Sequence, residues 1–158
     1  MSAEERVRKV RTEQFSRALH EYGCDRFPAN FELYEIGDII YGTMGDPNIL
    51  EGIMRRDVKV EMIGLPLLLR RGRKLVPLLA LGDYMAKSCS HRVRLPDRII
   101  EKILYGRTVT VKETYNFRKG LLIDGHSDFV AFITLRSRKK GTEIIPDLDI
   151  GWYLRAGG

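Results

Sequence analysis

The stretch HRVRLPDRIIEKILYGRTVTV, residues 91–111, decides the fold that the sequence predicts. Charged and apolar residues alternate over residues 92–95, which is typical of a short strand with one buried face. Residues 96–104 predict a short helix that Gly106 ends. One side of that helix carries the apolar residues Ile99, Ile100, Ile103 and Leu104. A strand over residues 107–112 follows it.

The rest of the C-terminal part predicts short strands only, at residues 120–124 and 129–138, with turns at Asp124-Gly125 and Lys140-Gly141. Several short strands separated by turns favour a small barrel. The composition changes after Ser88. We therefore place a domain boundary near residue 90, between an N-terminal domain of residues 1–89 and a C-terminal domain of residues 90–158.

The N-terminal domain is predicted to be a mixed α+β unit. One helix is expected over residues 3–22, stopped by Gly23, and another from Asp46-Pro47 onward. The second helix would turn four residues inward: Ile49, Leu50, Ile53 and Met54. Strands are predicted at residues 31–36, 38–41, 58–63, 65–69 and 74–81, with a hairpin turn at 70–73 and one helical turn at 84–88. Short connections predict an antiparallel sheet.

Composition and charge limit the classes of protein further. The chain has 158 residues, 44% of them hydrophobic, which is enough for a core of its own. No secretory signal is apparent, and the longest apolar run, residues 76–81, is too short to span a bilayer. We expect a cytoplasmic protein, nucleolar if the source is eukaryotic, with no membrane partner. Cys24 and Cys89 form no C-x-x-C pair and are expected to be reduced, buried thiols.

The positive charge is concentrated toward the C-terminus. Residues 1–69 hold 9 Lys and Arg against 12 Asp and Glu, whereas residues 70–158 hold 18 against 9. Concentrated positive charge indicates a polyanionic partner such as nucleic acid. The alternative is a generally basic surface that keeps the protein in solution.

Three stretches resemble known proteins. Residues 91–111, with LYG before the last strand, resemble the opening of a PUA domain. Residues 149–155 (DIGWYLR) resemble the closing segment of the Nip-seven family of large-subunit ribosome biogenesis proteins, and the compact C-terminal end resembles archaeal members. Residues 64–85 (GLPLLLRRGRKLVPLLALGDYM) resemble the hairpin that leads into that family's PUA domain. The resemblance covers roughly residues 60–158.

This resemblance implies an α+β fold, with a pre-PUA antiparallel sheet and helices followed by a PUA pseudo-β-barrel. It implies binding of single-stranded, uridine-rich RNA through basic PUA residues, a role in maturing pre-rRNA, and partners such as the exosome or other ribosome-assembly proteins. It implies no enzymatic activity, and we expect no cofactor. PUA domains usually carry a glycine-rich strand after the hairpin turn, whereas residues 130–133 here are VAFI.

The main RNA-binding candidates are Arg136, Arg138, Lys139 and Lys140. In one strand Arg136, Arg138 and Lys140 would share a face at about 7 Å spacing, close to the stride of phosphates. The alternative is a solvated edge strand whose charges prevent aggregation.

A second cluster joins Arg118 and Lys119 to the aromatic residues Tyr115 and Phe117, a combination that suits base stacking with phosphate contact. Its alternative is a loop with its aromatic rings packed into the barrel. A secondary basic patch comprises Arg70, Arg71, Arg73 and Lys74 at the hairpin turn. Three further cations could line the same surface: Arg92, Arg94 and Arg107.

Catalytic motifs are lacking. The sequence has no H-x-x-x-H pair, Walker loop, G-x-S-x-G or G-x-G-x-x-G, so neither a catalytic residue nor a metal ligand is assigned. Asp124, His126 and Asp128 are interpreted as a hairpin loop. Two other functions remain open, an RNA-modifying enzyme with a PUA domain and a protein-interaction adaptor of an RNA-processing complex.

Overall fold

The computed structural model describes residues 6–56 and 58–149, with Asp149 described by its backbone alone. Within these residues the first sheet holds five antiparallel strands in chain order, as the short connections predict. They are β1 (Arg8–Val10), β2 (Glu32–Ile36), β3 (Ile39–Thr43), β4 (Leu65–Arg71) and β5 (Lys74–Pro77). The helices that accompany this sheet are α1 (Glu13–Leu19), α2 (Pro47–Met54) and α3 (Leu79–Ser88).

The helix predicted over residues 3–22 is correct only in its second half. Its first three residues lie outside the described residues, and the next part forms β1, which pairs with β2 so that Arg8 lies opposite Glu35. The charge pair and the strand ladder together outweigh the helical periodicity of this segment. After α1, a single 3-10 turn at His20–Tyr22 leads to Gly23, whose φ of +75° ends the helix as predicted.

Two strand predictions in this half are wrong. Residues 58–63 have no strand partner among the described residues. The strand predicted over residues 74–81 stops at Pro77, whose ring nitrogen cannot donate to a strand ladder. The chain turns instead into α3, which buries Leu81 and Met85 on one face. The single helical turn predicted at the end of this region is the last part of α3.

The start of α2 is confirmed. The Asp46 carboxylate accepts a hydrogen bond of 2.9 Å from the backbone N–H two residues later. Its inward face is narrower than predicted, because only Leu50 and Met54 pack against the first sheet. Ile49 and Ile53 are 64% and 43% exposed, so their predicted inward orientation is wrong.

The second sheet curls around α4 (Asp97–Leu104) in the strand order β6-β8-β9-β10-β7. β6 pairs parallel with β8, and the other pairs are antiparallel. The strands are β6 (Arg92–Arg94), β7 (Val109–Val111), β8 (Lys119–Ile123), β9 (Phe129–Arg138) and β10 (Gly141–Asp149). Ile100 and Ile103 of α4 are buried against this sheet, which confirms the predicted apolar side.

Sequence analysis missed β10. Pro146 interrupts its pattern, and the structure accommodates the proline by a bulge between Pro146 and Leu148 in the pairing with β9. The strand begins at Gly141, whose φ is +123° and whose added Cβ would lie 1.9 Å from the backbone oxygen of Val111. Only glycine fits this close approach between β10 and β7.

One apolar core joins the two sheets. It includes Phe15 and Leu19 from α1, Met85 from α3, and Leu121 and Phe132 from the second sheet. This core has members on both sides of residue 90. The domain boundary near that residue remains a prediction. Among the described residues, every helix is too short or too polar to cross a membrane.

Cys24 and Cys89 form a disulfide bond across 65 residues of sequence, so the expectation of two reduced thiols is wrong. Their separation along the chain hid a contact that the fold creates. The turn after α1 meets the end of α3, where the backbone N–H of Ser90 donates to the Gly23 oxygen at 3.0 Å. The bond therefore fastens the start of the second sheet to the first helical segment.

Candidate nucleic-acid interface

An open groove of about 320 Å³ lies between the loop that precedes β8 and the hairpin formed by β9 and β10. We call it the aromatic groove. It brings together Arg118 and Arg136, which the sequence placed in separate clusters. Its lining residues are Tyr115, Asn116, Phe117, Arg118, Leu135, Arg136, Ser137 and Thr142.

The aromatic wall of this groove is held in place by stacking. Phe117 stacks on the His91 imidazole with ring centroids 4.3 Å apart, and the Tyr115 ring lies 5.6 Å from Phe117. His91 is itself fixed, because its Nδ1 lies 2.8 Å from the backbone oxygen of Glu21 and 3.2 Å from that of Lys119. Burial raises the pKa of Tyr115, so its phenol stays neutral at physiological pH. The wall is thus preorganised.

Two exposed cations flank the aromatic groove. Neither Arg118 nor Arg136 forms an ion pair or a side-chain hydrogen bond with a described residue. A free guanidinium offers a rigid fork of N–H donors that matches phosphate oxygens. Half-buried rings beside free cations can contact the bases and phosphates of one unpaired strand.

The tip of the β9–β10 hairpin carries the rest of the main predicted cluster. β9 ends at Arg138, and Lys139 and Lys140 form the exposed turn. Arg136 and Arg138 share a strand face as expected, but Lys140 does not, because it lies beyond the strand. Arg138 is an ion-pair partner of Glu143, with Nε 2.6 Å from Oε2. At the tip, the two lysines are therefore available to an anionic ligand, whereas the charge of Arg138 is largely neutralised by Glu143.

Lys119 also has partners within the protein. Its ammonium group donates to the Thr134 hydroxyl at 2.8 Å and to the Asp147 carboxylate at 3.1 Å. The same Asp147 accepts from the Thr134 hydroxyl at 2.8 Å. This network joins β8, β9 and β10 and removes part of the charge that the sequence assigned to RNA binding.

A second and larger opening, of about 680 Å³, lies between α1, the β4–β5 hairpin and the face of the second sheet. We call it the large cleft. It contains Lys119 together with three members of the secondary basic patch, so this patch and the second sheet share one surface. Its charged lining residues are Arg17, Glu21, Arg71, Arg73, Lys74, Lys119 and Asp147.

The fourth member of that patch, Arg70, has a different role. Arg70 and Arg8 both donate to the carboxylate of Glu35, whose side chain is only 8% exposed. Burial alone would raise the pKa of Glu35, but the hydrogen bonds from Arg8 and Arg70 outweigh it, and the pKa lies below the ordinary value. Arg70 therefore holds the first sheet together and is not free for a ligand.

Arg107 lies apart from the aromatic groove. It lines a shallow hollow of about 300 Å³ at the end of α4, with which the groove shares no residue. The hollow also contains Arg98, Lys102 and the ring of Tyr105, which is 68% exposed. It is a separate basic and aromatic surface.

Arg92 and Arg94 support the fold. Arg92 donates to the backbone oxygen of Ala86 at 3.4 Å, and Arg94 donates to Asp124 and to two further residues of the β8–β9 turn. The Asp124 carboxylate accepts backbone N–H groups from His126 and Asp128, which lowers its pKa. These residues form the hairpin loop that sequence analysis described.

The chain matches no protein-family model and no curated protein sequence. Among solved structures, it is similar to a conserved PUA domain protein from Thermoplasma acidophilum. The TM-score is 0.52 over 95% of this chain and 98% of that chain, at 14% sequence identity. The chain has a PUA-type fold. The predicted fold class, an α+β unit with a sheet and helices followed by a small pseudo-barrel, is confirmed.

Residues 130–133, the segment that lacks glycine, are buried. This segment is the centre of β9, between β8 and β10, and its four side chains are 3% exposed or less. Val130, Ala131 and Ile133 pack in the core of the second sheet, whereas Phe132 packs in the core between the two sheets and lines the large cleft. Residues 150–155 of the DIGWYLR segment lie outside the described residues.

Sequence analysis missed several polar residues of the two openings. Asn116 and Arg17 stand alone in sequence and give no periodic signal. Asp147 of the large cleft and Glu143 beside the aromatic groove belong to β10, the strand that was not predicted, so their ion pairs with Lys119 of β8 and Arg138 of β9 had no basis in the pattern. A prediction of β10 would have paired the acidic residues with their partners.

Proposed function

We propose that this protein binds single-stranded RNA without catalysing a reaction. One observation carries the proposal: two guanidinium groups without partners among the described residues, Arg118 and Arg136, flank a groove walled by stacked aromatic rings. Lys139 and Lys140 extend the positive surface at the adjacent hairpin tip. Cations would neutralise phosphates while the rings and Asn116 contact bases.

The finer role follows from the sequence resemblance. Likeness to the Nip-seven family supports action in the maturation of large-subunit pre-rRNA, with uridine-rich single strands as ligands and the exosome or other assembly proteins as partners. The PUA-type fold supports RNA as the ligand class. Function in the cytoplasm, or in the nucleolus of a eukaryotic source, is part of this proposal.

A salt series tests the RNA binding. The full chain would be titrated with uridine-rich and adenine-rich oligonucleotides at several salt concentrations, with fluorescence anisotropy as the measurement. Four cations that neutralise four phosphates give a slope of log K against log salt of about −3. A flat salt response would contradict the proposal.

A charge-matched pair of variants locates the site. The joint change of Arg118, Arg136, Lys139 and Lys140 to alanine should weaken binding at least about tenfold, since each cation lost removes a phosphate contact. The control removes the same charge from exposed loop and turn positions in the N-terminal half of the chain: Arg11, Arg26, Arg55 and Arg56. Equal losses in both variants would mean that net charge, and not this site, governs binding.

The adaptor function is a second candidate, supported by exposed apolar side chains on α2 and the segments that flank it in sequence. They are Met44, Ile49, Ile53, Val58, Met62 and Leu65, each 43% exposed or more. A large exposed apolar patch is typical of a surface that contacts another protein. Affinity capture with and without nuclease treatment would separate a direct protein partner from one that RNA bridges.

A further inference from the structure

The large cleft has an excess of positive charge that the fold does not use. Among the described residues, five cations line it against two carboxylates, and Lys119 is already paired with Asp147. Arg71, Arg73 and Lys74 on the β4–β5 hairpin are exposed and have no side-chain partner among the described residues. Like charges this close repel one another, so an anionic ligand would stabilise their arrangement.

The bottom of the cleft is apolar and rigid. Tyr22 and Phe132 close it in an edge-to-face contact with ring centroids 5.7 Å apart, and Leu75 and Val76 form a half-buried wall. Burial raises the pKa of Tyr22, and its hydroxyl has no hydrogen-bond partner among the described residues. A cleft of about 680 Å³ with an apolar floor and a cationic rim has the size and chemistry to take a nucleotide.

The large cleft and the aromatic groove lie along the same strand. Phe132 of β9 lines the cleft, and Arg136, on the same face of the strand, lines the groove together with Leu135 and Ser137 of the opposite face. Phe132 and Arg136 are four positions apart along the strand, a span of about 13 Å. Arg118 and Lys119, adjacent in sequence, also line the groove and the cleft respectively. One unpaired nucleic-acid strand is long and flexible enough to occupy both openings.

We infer that the large cleft binds the continuation of the RNA strand whose first part occupies the aromatic groove. The inference rests on the proposed RNA binding and adds a second subsite. Phosphates of the continuing strand contact Arg71, Arg73 and Lys74, and a nucleoside rests on the apolar floor beside Tyr22. The first sheet thus takes part in RNA binding although residues 1–69 carry more acidic than basic side chains.

Oligonucleotide length separates the two subsites. The test uses the full chain with uridine oligonucleotides of about 4 and about 12 nucleotides, within the range of sites on small barrel folds. The short strand can fill the groove alone, whereas the long strand reaches the cleft. Changing Arg71, Arg73 and Lys74 together to alanine should weaken binding of the long strand about tenfold and leave binding of the short strand unchanged.

Salt dependence gives an independent readout. The three extra phosphate contacts should make the salt slope of the long strand steeper than that of the short one by about 2, and the cleft variant should abolish this difference. The charge-matched control changes Arg11, Arg55 and Arg56 to alanine. Thermal denaturation of both variants checks that the exposed substitutions leave the fold intact.

Three other outcomes would each overturn the inference, and the measurements distinguish them. If the cleft variant and the control bind the long strand equally, the cleft is not a subsite, while the groove proposal stands. If neither oligonucleotide binds the unchanged protein, both proposals fail. If a glutamate-rich peptide binds more tightly than RNA and the cleft variant loses that binding, the cleft belongs to an acidic protein partner.

Discussion

Arg138 donates a hydrogen bond of 2.6 Å from its Nε to the Glu143 carboxylate, although Glu143 lies directly opposite Arg136 in the strand register. The diagonal pairing neutralises Arg138 and leaves Arg136 without an acidic partner among the described residues. Two arginines that lie two positions apart on the same strand face therefore have different capacities for an external anion. This difference can be measured.

We expect Arg136→Ala to weaken binding of a uridine-rich oligonucleotide about tenfold, because a charge-assisted hydrogen bond to phosphate contributes about 1.5 kcal/mol. Arg138→Ala should cost less than about threefold, since its charge is already paired. Anisotropy titrations at low salt compare the two. Equal losses would mean that Arg138 leaves Glu143 when RNA binds.

Removing the acidic partner should have the opposite effect. Glu143→Gln frees Arg138 and removes a negative charge beside the proposed phosphate path, so we expect affinity to rise several-fold and the salt slope to steepen by about 0.7. Glu61→Gln, an exposed change on the other half of the chain, is the control. A similar gain in both variants would indicate a general effect of net charge.

Sequence analysis predicted four of the five strands in each sheet of the described residues and missed β1 and β10, for a physical reason. β9 was predicted at its observed bounds because a long run of apolar and β-branched residues favours a buried strand in any context. β1 was missed because a short strand with few apolar residues depends on its pairing with β2 and on the contact between Arg8 and Glu35. Such long-range contacts are not encoded in local periodicity.

The residues of the candidate site were also predictable only where local sequence patterns identify them. The cations of the groove could be named from sequence, since Arg118 and Arg136 lie beside aromatic and strand signals. Which cations are free could not be predicted, because the partners of Arg70 and Arg138 come from distant or unpredicted strands. The large cleft was also beyond prediction, as it forms only where the two sheets meet.

The disulfide between Cys24 and Cys89 should contribute strongly to stability. Closing a loop of 65 residues restricts the unfolded chain, and the loop-entropy relation gives about 4 kcal/mol. We expect a reductant, or the double change Cys24→Ser with Cys89→Ser, to lower the free energy of unfolding by up to this amount in urea titrations. The reductant should have no effect on the double variant.

Thiol labelling of the denatured protein provides a direct check on that bond. Without reductant neither cysteine should react, and with reductant both should. Two reactive thiols in the untreated protein would contradict the disulfide and restore the original expectation of reduced cysteines.

The buried carboxylate of Glu35 predicts how stability varies with pH. Hydrogen bonds from Arg8 and Arg70 hold its folded pKa below the ordinary value despite burial. A depressed folded pKa means that the ionised carboxylate stabilises the fold at pH values above its unfolded pKa, which is about 4.3. That contribution is lost as the pH falls through the folded pKa.

We therefore expect Glu35→Gln to lower the free energy of unfolding at pH 7 by about 1 kcal/mol, a modest figure because both arginine partners are partly exposed. The difference between the variant and the unchanged protein should shrink as the pH falls below the unfolded pKa of Glu35 and should vanish below its folded pKa, where the carboxylate becomes protonated. Urea unfolding at a series of pH values measures it, with Glu61→Gln as the exposed control. If the difference in free energy of unfolding stays constant with pH, Glu35 stabilises the sheet by its shape and hydrogen bonding and not by its charge.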